Sequence, residues 1–209
     1  MSKSLYVVLF RTLGVSFFLF ISAFWVNIST ARALTIENRG IYSSFVFFVL
    51  LSSQLNLFGL PKSLNLKFAE IDDDLKSAFS VVISIVTFSS AISSIFIAFF
   101  SPFSSEIYLK LLFVITAIAA SIYSLILAFT QRFPNLLAFN FLRVSYSSFL
   151  LIFVCLVPLF FNVSLVGYFI FSTSLAYFLS IIFLVYRYYL PSSNFSFFSR
   201  AGKSHGLRD

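Results

Sequence analysis

The sequence predicts an all-α integral membrane protein, a bundle of six transmembrane helices. Three observations lead there. Of 209 residues, 60% are hydrophobic and 10% charged, whereas a soluble domain carries about 25% charged residues. Mean hydropathy is +1.01. The apolar residues also gather into continuous runs of about 20, the length that crosses a bilayer as a helix. Barrel strands would instead alternate within segments of about 10 residues. So few charges cannot coat a globule, and disorder needs the opposite composition. Cys155 is the sole Cys and His205 the sole His. That excludes a disulfide scaffold, a His/Cys metal site and a Cys–His dyad.

The first predicted span covers residues 10–29, after Lys3 and with Arg11 at its edge. A rival reading takes it as a cleaved signal peptide, with Ala31-Arg32-Ala33 as an A-x-A site. Arg11 interrupts the run and the stretch is long enough to span, which favours the helix. The second span, 41–60, carries Gln54 and Asn56. The third, 79–100, holds Ser84, Ser89, Ser90, Ser93 and Ser94, small residues that suit close helix contact. The fourth covers 109–130 and the fifth 144–161, where Pro158 is placed to kink the helix. The sixth, 163–187, pairs with the fifth through a tight turn at 161–164. Tyr186, Tyr188 and Tyr189 around Arg187 end it as an aromatic belt. Residues 1–190 thus form a six-helix lobe, and 191–209 a polar tail.

Charge sets the orientation. With the N-terminus in the cytoplasm, eleven basic residues fall inside: Lys3, Arg11, Lys62, Lys67, Lys76, Arg132, Arg143, Arg187, Arg200, Lys203 and Arg208. Three fall outside: Arg32, Arg39 and Lys110. Both termini are therefore expected in the cytoplasm. The net charge of +7 is a topology signal, and nucleic acid is not an expected partner. The longest loop, 61–77, holds Glu70, Asp72, Asp73 and Asp74. Three adjacent carboxylates suggest a divalent cation. The plainer reading, a solvated start to the third span, is preferred because EF-hand spacing is absent.

Within the spans, ionisable residues are functional candidates by default. Arg11 has two readings. It faces a central cavity and holds an anionic head group such as pyrophosphate, or it snorkels to the cytoplasmic interface. Gln54, Asn56 and Asn27 would bond sugar hydroxyls or neighbouring helices, the second use being commoner. No span carries Asp or Glu, so no carboxylate relay is visible. There is no P-loop, no H-E-x-x-H and no Ser/His/Asp set. The chain reads as a non-enzyme with no cofactor and no metal.

One stretch is more specific. Ala31-Arg32-Ala33-Leu34-Thr35-Ile36-Glu37-Asn38-Arg39-Gly40-Ile41-Tyr42 is followed by an apolar span ending Leu57-Phe58-Gly59-Leu60-Pro61. It resembles the first helical hairpin of the Wzx-like oligosaccharide-lipid flippases of the multidrug/oligosaccharidyl-lipid/polysaccharide (MOP) superfamily. Their pattern there is A-R-x-L-G-P-E-x-x-G-x-Y, with a G-L near the end of the following span. Ala31, Arg32, Leu34, Glu37, Gly40, Tyr42, Gly59 and Leu60 match, and Thr35-Ile36 replaces the Gly-Pro. Residues 199–209, with Lys203-Ser204-His205-Gly206-Leu207-Arg208, look like that family's linker into a C-terminal lobe.

The resemblance implies one lobe of a flippase in the bacterial inner membrane. Its cargo would be an undecaprenyl-diphosphate-linked oligosaccharide, such as an O-antigen repeat unit. Arg11 and Arg32 are the expected contacts for anionic groups and Gln54 for sugar hydroxyls. Alternating access needs two lobes, so a homodimer or a separate second lobe is the expected partner. The alternatives are a membrane enzyme or assembly protein of the same pathway, and an inactive fragment.

Overall fold

The computed structural model describes residues 2–57, 75–100, 107–131, 136–156 and 166–188. The expected turn at 161–164, Pro158, Tyr189, Arg132, the tail and loop residues 61–74 lie outside that set. Every regular element among the described residues is helical: α1 (Ser2–Ala33), α2 (Ile36–Leu57), α3 (Leu75–Phe100), α4 (Ile107–Thr130), α5 (Leu137–Leu151) and α6 (Val166–Tyr188). Hydrocarbon offers the backbone no partner, so each span must satisfy its own amides. All six helices, α5 together with the turn that extends it, are long and apolar enough to cross a membrane. The all-α six-span bundle is therefore the fold.

Boundaries differ from expectation where a cation or a short polar run suggested a break. The link between the first two spans shrinks to Leu34 and Thr35. α1 continues through Arg32, whose charge in the last turn complements the partial negative charge of the helix end. Thr35 then caps α2, its Oγ1 accepting the Asn38 N–H at 3.4 Å, with Glu37 in the first turn. The residues that replace Gly-Pro thus supply a helix start of their own. α5 opens at Leu137, well before the expected 144, and takes in Arg143. Its N-cap, Leu136, holds φ at 48°, a left-handed conformation that costs an L-residue about 1–2 kcal/mol.

α5 ends in a wide π-turn over Ile152–Leu156. Such a turn breaks the usual backbone ladder, and here α6 helps repair it. The Tyr168 hydroxyl donates to the Phe153 carbonyl at 2.6 Å.

Packing is arranged around α4, which contacts α2, α3 and α6. α6 carries α5, and α5 carries α1. α4 and α6 are each 44% buried over their apolar stretch, against 11% for α1, so α1 is peripheral. It packs on α5 and the π-turn and touches α2 little. Ser29 Oγ donates to Cys155 Sγ at 3.0 Å, which joins the C-terminal ends of α1 and α5. These helices therefore run parallel. The core centres on Phe45, Val49, Phe113, Ala117, Ala120, Leu142 and Phe169, all fully buried. Large apolar side chains such as Phe17, Phe20, Phe88 and Phe99 point outward, as lipid-facing residues do.

Candidate functional site

The three residues singled out by type do not converge. Arg11, Arg32 and Gln54 are all exposed on the bundle surface. Arg11 and Arg32 lie on one continuous helix, 21 residues apart, hence about 32 Å along the axis at 1.5 Å per residue. That is about the thickness of the hydrocarbon core. Gln54 lies 18 residues into α2, about 27 Å from the α1–α2 link, at the Arg11 end. The parallel register places Arg11 further. Ser29 meets Cys155, so Arg11, 18 residues before Ser29, stands about level with Leu137, 18 residues before Cys155 and the first residue of α5. Arg11 thus sits toward one end of the bundle and Arg32 at the other, with Arg39 and Glu37 at the same end as Arg32.

The interior polar groups are elsewhere. Asn56 ties three helices together. Its amide donates at 3.3 Å to Ser52 Oγ on its own helix and to Ser121 Oγ on α4. Its carbonyl accepts from Ser93 of α3 at 2.8 Å. Of its two expected uses, bonding a neighbouring helix is the one observed. Asn27 bonds the Ala23 carbonyl of its own helix at 2.9 Å. Within α3, Ser90 and Ser94 are buried and Ser84 is exposed.

Composition alone did not place the tyrosines. Tyr42 is buried, and its hydroxyl meets Thr173 at 3.1 Å. Tyr123, Tyr146 and Tyr177, from α4, α5 and α6, form a triad with ring centroids 4.5–5.4 Å apart. Their hydroxyls are committed. Tyr123 donates to the Leu142 carbonyl at 3.3 Å, and Tyr146 bonds Tyr177. These four rings fill the bundle rather than an interfacial belt.

Arg143 was expected in a basic loop. It stands instead in the second turn of α5, half-buried, its guanidinium 5.2 Å from the Phe139 ring centroid. It is also close enough to Tyr123 to act on it electrostatically. An apolar run starts after a charge, so run length alone leaves Arg143 outside the span.

Among the described residues, no three His, Cys, Asp or Glu side chains come together. Comparison of the chain with known protein families, characterised proteins and solved structures gives no match.

Proposed function

We propose that this chain forms one lobe of a polysaccharide exporter that carries an undecaprenyl-diphosphate-linked oligosaccharide across the bacterial inner membrane. A second lobe, from a homodimer partner or a separate chain, completes it. The observation that carries the reading is the α1–α2 hairpin. Arg32 closes α1, Thr35 caps α2, and Glu37, Gly40 and Tyr42 follow in the spacing of the flippase pattern. The positive-inside count supports an N-terminus in the cytoplasm.

The separation of Arg11 from Arg32 shapes the mechanism. Two cations about 32 Å apart cannot grip one diphosphate together. They act at opposite faces, Arg11 with Gln54 where the head group enters and Arg32 where it leaves. Arg suits this because its planar fork pairs with phosphate oxygens through two parallel bonds.

The assay is surface polysaccharide display in a strain lacking its own flippase. The chain, alone or with a supplied second lobe, restores display. Arg11→Ala and Arg32→Ala each lower it about tenfold at equal protein level, the loss of one charge-assisted bond. Gln54→Leu lowers it about threefold, as for a neutral bond. Failure to restore display in either arrangement, or three silent substitutions, removes the support.

A further inference from the structure

Arg143 is a cation inside a helix long and apolar enough to span a membrane, and no counter-charge stands near it among the described residues. Among the described residues the one carboxylate is Glu37, exposed in the first turn of α2. Glu37 lies at the Arg32 end, whereas Arg143 lies near the Arg11 end. An uncompensated cation at partial burial is costly. Its aromatic frame eases part of that cost through the face of Phe139. The hydroxyls of Tyr123, Tyr146 and Tyr177 bond to one another or to backbone and carry no formal charge, so they do not neutralise it.

The depth points to what neutralises it. Arg143 is six residues into α5, about 9 Å from its start. The guanidinium folds back over Phe139, one turn nearer that end. This brings it back toward the first turn of α5, the level of Leu137 and hence of Arg11. Lipid phosphates lie at that level, whereas cargo in mid-bilayer would lie deeper.

We propose that Arg143 binds the phosphate of an acidic lipid in the leaflet at the α5 N-terminal end. The guanidinium is held by Phe139 and the α4 face around Tyr123. This reading needs the membrane topology but not the transport function, so the two stand or fall separately.

The test is native mass spectrometry of the full chain exchanged into mixed micelles holding phosphatidylglycerol and phosphatidylethanolamine. Wild type retains phosphatidylglycerol about fivefold over phosphatidylethanolamine, the selectivity expected of one surface cation. Arg143→Gln loses that preference, Arg143→Lys keeps part of it, and Arg39→Gln keeps it fully. Equal retention of both lipids by wild type overturns the proposal without recourse to any variant. So does an Arg143→Gln chain that retains lipid as wild type does, the result expected if a carboxylate of the 61–77 loop were the counter-ion. Equal losses in Arg143→Gln and Arg39→Gln overturn it too, by showing a general charge effect. Inorganic phosphate added in excess leaves the lipid bound. Displacement by it assigns the site to free phosphate instead.

Discussion

At the residue scale, Asn56 and Ser22 form an instructive pair. Asn56 spends its amide on three hydroxyls and joins α2, α3 and α4. Ser22 Oγ is buried and has no partner among the described residues. Removing a satisfied interhelical group in a membrane costs about 0.6–1.7 kcal/mol. Asn56→Ala is expected at about 1 kcal/mol, because Ser93 and Ser121 fall back on the carbonyls of Ser90 and Ala117. Ser22→Ala discards a hydroxyl that already lacks a bond, so it is expected to change stability by less than about 0.5 kcal/mol, in the stabilising direction. Denaturant titration in bicelles checks both. A larger loss for Ser22→Ala than for Asn56→Ala contradicts this bonding pattern. The fates of the asparagines and Gln54 were not legible in the sequence. An amide inside a span bonds whatever is adjacent, and adjacency is a tertiary property. The helical setting of Arg143 was not legible for a related reason. Its charge marked an expected helix boundary, yet an arginine that folds back over its own helix lets the span run past it.

At the element scale, the partner of α1 is the main surprise. The two-residue link makes α2 its chain neighbour, but α1 packs on α5. The Ser29–Cys155 contact at 3.0 Å fixes their register. Ser29→Cys is therefore expected to form a disulfide with Cys155 under mild oxidant. Proteolysis in the 61–77 loop followed by reducing and non-reducing electrophoresis reads it. A Ser22→Cys chain, Ser22 being two turns from Ser29 on the same face, gives none. Absence of the Ser29→Cys bridge contradicts the parallel α1–α5 pairing. The π-turn matters here because it widens the end of α5, where Cys155 meets α1 and the Phe153 carbonyl meets Tyr168 of α6.

At the scale of the whole molecule, the fold is a central α4–α6 pair with α2 and α3 on one side and α5 then α1 on the other. Reporter fusions test its orientation. A cytoplasmic reporter such as a green fluorescent protein is expected to be active when fused after Asp209, and a periplasmic phosphatase when inserted after Thr35, which is exposed in the α1–α2 link. The reverse pattern overturns the N-in assignment, and with it the roles given to Arg11 and Arg32.

The sequence by itself determined the membrane class, the number of spans and the helical state. Each follows from local quantities, namely apolar run length and the need of each span to satisfy its own backbone. It located the hairpin of the first two spans, though not that Arg32 is already helical or that Thr35 is a cap. Which helices touch, which polar groups bond and how far Arg11 lies from Arg32 in depth came only with the tertiary structure. In a membrane, lipid-facing and protein-facing sides are both apolar, so no periodicity separates them. Packing alone then decides that α1 leans on α5, that four tyrosines turn inward and that Arg143 stands inside a span against Phe139, with no carboxylate beside it among the described residues.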